Sequence, residues 1–174
     1  AKLTPKDIEL GAYLGALECI RMGVTTICSL YHYHSDKNEA SGILKAGLRG
    51  VIGIAVFSWE REKCLRNVVD ALKRWHGKNG LVRIAVGPHA PYTVDPQLWK
   101  EAHELLLEAN EKYGSEYPVI LTTHVAEDPN EVKITEEKFN VKIPENSLFK
   151  YLDELGVLDE YFLAAHAIHI NDID

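Results

Sequence analysis

Short apolar runs alternate with amphipathic stretches along the whole chain. The runs are rich in valine, isoleucine and leucine and are bounded by polar residues or glycine, which is typical of parallel strands buried on both faces. Five such runs predict five strands, at residues 24–30, 50–57, 81–86, 119–124 and 161–165. The stretches between them carry apolar residues at helical spacing, so each strand is expected to be preceded by a helix.

Local capping signals mark the starts of several helices. Thr4 and Asp95 are each followed by proline, the pattern of an N-cap and a first helical position. Ser58 is expected to cap the third helix, and a further helix is expected over residues 35–46. Repeated helix–strand units predict parallel strands joined by right-handed crossovers, hence an α/β fold in which residues 1–174 form a single unit.

Eight histidines are spread along the chain, and six of them follow the C-terminal ends of predicted strands. These six are His32, His34, His89, His124, His166 and His169. A single strand-end histidine is more often a satisfied hydrogen-bonding residue than a ligand, but the repetition favours a shared site. All strand C-termini lie on one side of a parallel sheet or barrel, so we expect these side chains to converge. The other two, His76 and His103, are expected at the surface.

A carboxylate accompanies the histidines, because Glu127 lies three residues after His124. Converging neutral imidazoles with a carboxylate are typical of a divalent metal site for zinc, iron or nickel. A catalytic site of this kind keeps one coordination position open for water, whose pKa the metal lowers. A carboxylate outside the coordination shell can then move protons between the water and a leaving group, and Glu127 is placed for that role.

Composition narrows the range of partners and compartments. The net charge of −7, without a basic cluster, argues against nucleic acid. No apolar run approaches the roughly 20 residues that cross a bilayer. The three cysteines, Cys19, Cys28 and Cys64, are widely spaced, which indicates buried and reduced thiols of a cytoplasmic protein.

Four ordered motifs resemble one family over essentially the whole chain. They are IRMGVTTICSLYHYH, VGPHAPYTVDPQLWKEA, LTTHVAED and LAAHAIHIND. Together they resemble the amidohydrolase superfamily, and within it the cyclic-amidine hydrolases, which include S-adenosylhomocysteine/methylthioadenosine deaminases, guanine deaminases and triazine chlorohydrolases. The resemblance implies a (β/α)8 barrel, or TIM barrel, with one catalytic metal, most often zinc. It also implies a small-molecule substrate, a purine- or triazine-like ring that is deaminated or dechlorinated by attack of a metal-activated hydroxide.

The same resemblance implies roles for individual residues. His124 matches a metal ligand, and Glu127 of the same motif matches the proton shuttle. His166 matches the histidine that orients or activates the attacked water and substrate. His89 matches a substrate-binding residue, whereas His169 matches a position without a clear catalytic role and is expected to be structural.

The chain departs from the family pattern at the metal site. The family takes two ligands from a His-x-His pair on the first barrel strand and an aspartate from the last strand, and neither region is present. His32 and His34 have the His-x-His form, but the preceding GVTTICSLY resembles the end of the second strand, so we expect the true pair upstream of Ala1. The chain is therefore expected to supply the second to sixth strands of the barrel and to be inactive in isolation.

Two interpretations stay open at this point. The chain is either part of a metal-dependent hydrolase, or a non-catalytic fragment or binding module without a competent metal centre. An open doubly wound sheet is disfavoured because residues 31–36, after the first strand, contain no glycine for a phosphate loop. A partial barrel exposes two sheet edges and one wall of the barrel core, which favours association between copies of the chain.

Overall fold

The computed structural model describes residues 3–174, in which five parallel strands lie side by side in chain order. The strands are β1 (Thr26–Tyr31), β2 (Arg49–Val56), β3 (Val82–Pro88), β4 (Ile120–Val125) and β5 (Phe162–His166). Each strand pairs in parallel with the next one along the chain. The sheet curls into a half-barrel with β1 and β5 at its edges, which confirms the predicted partial TIM barrel of five strands.

Six α-helices accompany these strands in the described part of the chain, and all but the first lie between two strands. They are α1 (Pro5–Arg21), α2 (Glu39–Ala46), α3 (Arg61–Trp75), α4 (Pro96–Tyr113), α5 (Glu131–Phe139) and α6 (Leu148–Glu154). Helices α5 and α6 both lie between β4 and β5, whereas a single α-helix separates every other pair of neighbouring strands. Over residues 3–174, no helix combines the length and the apolar character needed to cross a bilayer.

Two of the predicted helix starts are confirmed in detail. Helix α1 begins with a capping box, in which the Asp7 amide donates to Thr4 Oγ1 at 3.3 Å and the Thr4 amide donates to Asp7 Oδ2 at 2.8 Å. Helix α4 begins after Asp95, whose Oδ1 accepts the Leu98 amide at 3.0 Å. In both helices proline occupies the first turn, where its missing amide proton costs nothing.

Two other helix starts differ from the prediction. Ser58 does not cap α3, because its hydroxyl donates to Asp95 Oδ2 at 2.6 Å and accepts the Asp95 amide at 2.8 Å. Ser58 therefore ties the segment after β2 to the start of α4. Helix α2 begins at Glu39 instead of residue 35, because Asn38 and Ser41 form a capping box there.

The hydrophobic core lies between the outer face of the sheet and the helices that cover it. Alternate residues of β2, namely Ile52, Ile54 and Val56, are at most 2% exposed and belong to this core. They share it with Val68 of α3 and Trp99 of α4, which are completely buried. The core therefore fixes α3 and α4 against the centre of the sheet and holds the ends of its strands in place.

The inner face of the half-barrel carries small residues and stays partly open. A Cβ atom on Gly53 would lie 2.8 Å from Cγ2 of Thr122, which shows how closely β2 and β4 approach each other across this face. Leu163, which pairs in register with Thr122, is 42% exposed. An exposed wall of this kind is what a partial barrel was expected to show.

Three side chains lie elsewhere than the sequence indicated. The ring of His76 is half-buried, with Nε2 donating to the Tyr117 carbonyl at 2.7 Å, and burial lowers the pKa of His76. His103 is also half-buried, with Nε2 2.8 Å from Asp159 Oδ2. Both are therefore structural residues and not surface residues. Cys28, predicted to be buried, is exposed.

Candidate functional site

The four predicted site residues lie together at the C-terminal rim of the sheet. His89 follows β3, His124 lies near the end of β4, Glu127 lies in the loop after β4, and His166 is the last residue of β5. The ring centroids of His89 and His124 are 4.9 Å apart, and those of His124 and His166 are 5.4 Å apart. Nε2 of His166 lies 3.5 Å from Oε1 of Glu127. The structure thus brings all four residues together, while the roles assigned to them stay predictions.

His124 is held in one tautomer by the backbone. Its Nδ1 lies 3.0 Å from the carbonyl oxygen of His89. A carbonyl only accepts, so Nδ1 carries the proton and Nε2 keeps a free lone pair. A histidine that ligates a metal has this arrangement, in which the nitrogen away from the metal donates to a carbonyl or carboxylate. The geometry of His124 therefore fits the predicted role of a metal ligand.

His89 is held in the same tautomer by a chain of hydroxyl groups. The Thr93 hydroxyl donates to the Ala90 carbonyl at 3.0 Å, so its oxygen accepts the Nδ1 proton of His89, also at 3.0 Å. Nε2 of His89 then accepts from the Tyr31 hydroxyl at 3.0 Å. Burial, and then the neighbouring imidazole of His124, lowers the pKa of His89 to about 4. His89 is therefore a neutral group at pH 7, buried beneath the rim.

The Glu127 and His166 side chains are accessible to a ligand, although the backbone that carries them is fixed. The side chain of Glu127 is 43% exposed and that of His166 is 35% exposed. Three non-glycine residues beside them have positive φ angles, 54° at Ala126, 72° at His166 itself and 50° at Ala167. The Ala167 amide donates to the Val125 carbonyl at 3.0 Å and so ties the ends of β4 and β5 together. Backbone strain of this kind is typical of functional sites.

His169 lies beside this strained segment and contributes its backbone. Its amide donates to the Ala126 carbonyl at 2.9 Å, while the residue itself is exposed. This contact is consistent with the structural role expected for His169.

Aromatic residues surround the site, and the histidine pattern did not indicate them. The ring of Tyr31 lies 5.4 Å from that of His89, and Tyr31 is 48% exposed. Phe57 stacks on Trp59 at 4.4 Å and lies 4.8 Å from His89, with Trp59 62% exposed. The sequence feature that could have assigned Tyr31 to the site is its position at the end of the first predicted strand, directly before His32. These rings offer a planar, partly apolar surface next to the histidines.

The described residues contain one histidine that fits a metal ligand, but they do not form a complete metal site. Across residues 3–174, no group of three or more His, Cys, Asp or Glu residues is arranged to hold a metal ion. Among these residues, His32 and His34 are exposed, and they do not form such a group with His124. Nε2 of His124 has the chemistry of a zinc ligand, but catalytic zinc usually has three protein ligands. A metal at this rim would need further ligands from beyond the described residues.

The sequence matches one family and several named relatives. Residues 2–174 match the amidohydrolase family. The chain is 34% identical over 179 residues to the 5-methylthioadenosine/S-adenosylhomocysteine deaminase of Thermococcus kodakarensis, covering 100% of this chain and 39% of the relative. It is 34% identical over 177 residues to the 5'-deoxyadenosine deaminase of Methanosphaera stadtmanae, covering 99% of this chain and 38% of the relative. The chain thus spans about two fifths of the length of these relatives.

Solved structures show the same fold. A zinc-bound adenosine deaminase of Xanthomonas campestris superimposes with a TM-score of 0.79 at 20% identity, covering 98% of this chain and 37% of that one. A variant of the atrazine chlorohydrolase of Arthrobacter aurescens, solved with zinc, superimposes with a TM-score of 0.72 at 18% identity, covering 95% of this chain and 39% of that one. Because the sequence match extends over nearly every residue, the chain belongs to the amidohydrolase family.

Proposed function

We propose that the chain forms one side of the active site of a metal-dependent hydrolase, which removes the exocyclic amine from an adenosine-like purine ring. The observation that carries this proposal is the 3.5 Å separation of Glu127 Oε1 from His166 Nε2, next to the free Nε2 of His124. The substrate class is suggested by the names of the two relatives above, both deaminases of adenosine-type compounds.

The metal would bind through Nε2 of His124, because Nδ1 already donates to the backbone. Zinc is the first candidate, since the solved adenosine deaminase carries it. When bound, such a metal lowers the pKa of a water molecule towards neutrality and so supplies a nucleophile. The remaining ligands would come from regions that this chain does not contain. This chain together with those regions is called the complete protein.

Side chains of this chain would transfer the proton and orient the water. Glu127 takes a proton from the attacking water as its oxygen bonds to the ring carbon, and delivers that proton to the amine nitrogen as the carbon–nitrogen bond breaks. His166, within reach of the same carboxylate, orients the water. One water is consumed: its oxygen becomes the ring carbonyl, one of its protons leaves with the ammonia, and the other goes to the adjacent ring nitrogen. His89 and the ring of Tyr31 form the adjacent wall and contact the substrate.

Replacing Glu127 with glutamine tests the proposal. Glutamine keeps the shape of the side chain but does not accept a proton, so kcat of the complete protein should fall about 10²- to 10⁴-fold. The metal content, measured by elemental analysis, should stay the same, because Glu127 is not a ligand in this scheme. Glu137→Gln is the matched control, since Glu137 lies on α5 with its side chain 67% exposed and forms an ion pair with Lys133 at the surface. Full turnover in Glu127→Gln would rule out the shuttle.

Two alternatives have observations of their own. Similarity to a chlorohydrolase favours a chloride leaving group, and a substrate panel of aminopurines and chlorotriazines separates the two reactions.

The single well-formed ligand, His124, favours a non-catalytic fragment or binding module. For that alternative we expect the isolated 174-residue chain to hold no stoichiometric metal. Tight binding of one metal per chain would contradict it and would make His32 and His34 ligands.

A further inference from the structure

A buried carboxylate lies directly behind the proposed proton shuttle. Glu131 is the first residue of α5 and is only 1% exposed. Its Oε2 accepts the backbone amide of Glu127 at 2.9 Å, and its Oε1 has no hydrogen-bond partner among the described residues. Burial raises the pKa of Glu131. Burying a carboxylate with an unsatisfied oxygen destabilises the folded state, so the position of Glu131 needs an explanation other than helix capping.

Helix capping does not account for the hydrogen bond of Glu131. The caps of α1, α2 and α4, namely Thr4, Asn38 and Asp95, all accept amide protons from their own helices, whether they are buried or exposed. Glu131 instead accepts from a residue that precedes its helix. Its hydrogen bond therefore acts on the loop after β4 and not on the first turn of α5.

The Glu131 hydrogen bond completes a clamp on one peptide group. The carbonyl of Ala126 and the amide of Glu127 belong to the same peptide unit. The carbonyl accepts the amides of Ile168 and His169, at 3.0 and 2.9 Å, from the segment after β5. Glu131 holds the amide on the other side. The orientation of this peptide sets the direction in which the Glu127 side chain leaves the backbone.

The clamp also opposes local strain. Ala126 has a φ of 54°, a conformation that an alanine adopts only when its surroundings impose it. Without the acceptor on Glu131, the peptide can rotate towards an ordinary conformation. Glu127 would then move away from His166, since both positions depend on this segment.

We propose that Glu131 is a positioning residue, whose carboxylate oxygen fixes the Ala126–Glu127 peptide so that Glu127 stays within reach of His166. This inference rests on the proposed function, in which Glu127 moves the proton. In this role the length of the Glu131 side chain and its acceptor oxygen matter, whereas its charge does not. A side chain of the same length with an acceptor should therefore replace it.

Two substitutions in the complete protein distinguish the effect of the length of the Glu131 side chain from the effect of its charge. Glu131→Asp keeps the charge but withdraws the acceptor from the Glu127 amide. We expect kcat to fall about 10- to 100-fold with KM within about threefold, because small displacements of a reacting group cost that much. Glu131→Gln keeps an acceptor at the same distance, so kcat should stay within about threefold of the unmodified protein. Glu137→Gln, on the exposed face of α5, serves as the control.

Amide hydrogen exchange at Glu127 gives a readout that does not depend on turnover. The Glu127 amide should exchange at least about tenfold faster in Glu131→Asp than in Glu131→Gln. Equal loss of kcat in both variants, or unchanged kcat and exchange in Glu131→Asp, would overturn the inference. Should Glu131→Asp fail to fold, Glu131→Met takes its place, with the same loss of kcat and faster exchange expected. If the unmodified protein deaminates no purine, the proposed function fails, while the exchange experiment still decides whether the clamp exists.

Discussion

Replacing Thr93 with valine should change which nitrogen of His89 carries the proton. Thr93 is 7% exposed, and its hydroxyl oxygen accepts the Nδ1 proton of His89 at 3.0 Å. Valine fills nearly the same volume but offers no acceptor. The Ala90 carbonyl, to which the Thr93 hydroxyl donates, still receives the amides of residues 93 and 94, so it is not left unsatisfied. The main consequence is therefore confined to the imidazole.

The size of the effect follows from burial. In Thr93→Val the Nδ1 proton would have no partner inside the protein, and an unpaired buried donor costs about 1–3 kcal/mol. At about 1.4 kcal/mol per tenfold, the tautomer equilibrium shifts roughly 5- to 150-fold towards the form protonated on Nε2. In that form His89 donates to the Tyr31 oxygen instead of accepting from its hydroxyl. A substrate group that donates to Nε2 of His89 in place of the Tyr31 hydroxyl would then lose its acceptor, so we expect KM to rise by up to about tenfold.

Nitrogen chemical shifts of labelled histidines in the complete protein measure the tautomer directly. Thr135→Val is the matched control, because Thr135 is also buried and its hydroxyl also donates to a backbone carbonyl, that of Glu131, at 2.8 Å. Both variants should lose about 1–2 kcal/mol in the free energy of unfolding. Only Thr93→Val should change the His89 signals. Identical His89 shifts in the unmodified protein and in Thr93→Val would refute the assigned direction of these hydrogen bonds.

The remaining predictions concern stability, measured by urea unfolding of the complete protein. Asp95→Ala removes both the cap of α4 and the bond to Ser58, so it should cost about 2–3 kcal/mol at pH 7. Burial alone would raise the pKa of Asp95, but the hydrogen bonds from Ser58 and from the backbone lower that pKa overall. The contribution of the Asp95 carboxylate to the free energy of unfolding is therefore present above about pH 4 and is lost as the pH falls through the lowered pKa. The difference between Asp95→Ala and the unmodified protein should accordingly narrow below about pH 4, and a constant difference would contradict this. Gly42→Ala places a Cβ 2.3 Å from the Glu9 carbonyl and should cost about 1–3 kcal/mol, whereas Gly15→Ala, with nothing within 4 Å, should be neutral or stabilising; equal effects would mean that α1 and α2 adjust freely.

The sheet could be predicted because its determinants are local. Apolar runs, caps and glycine stops lie next to each other in sequence, and parallel order follows from alternation of helix and strand. The polar side chains that were placed wrongly have distant partners. Ser58 bonds to Asp95, 37 residues away, and His76 bonds to the Tyr117 carbonyl, 41 residues away. No local pattern indicates such contacts, so a polar residue after a strand or helix is assigned to a cap or to the surface by default.

The site could be predicted only in part. The rule that strand C-termini meet on one side was enough to predict that His89, His124 and His166 lie together. The residues that set their chemical state were missed although their hydrogen bonds are local, since Thr93 is four residues from His89 and Glu131 is four residues from Glu127. Thr93 fixes a tautomer and Glu131 holds a peptide, and in sequence both look like ordinary polar residues near a helix start.

The strained backbone indicates which part of the site the β4–β5 pair determines by itself. The positive φ angles at Ala126, His166 and Ala167 each cost of the order of 1–3 kcal/mol, and they persist because bonds between the two strand ends oppose their relaxation. Those bonds lie within the segments that follow β4 and β5, and none of them involves β1 or β2. The proposed acid–base pair of Glu127 and His166 is therefore positioned by two adjacent strands and the start of α5. The metal side of the proposed site would need ligands from outside the described residues. A half-barrel can for that reason hold the proposed proton-transfer groups in place without containing a complete metal centre.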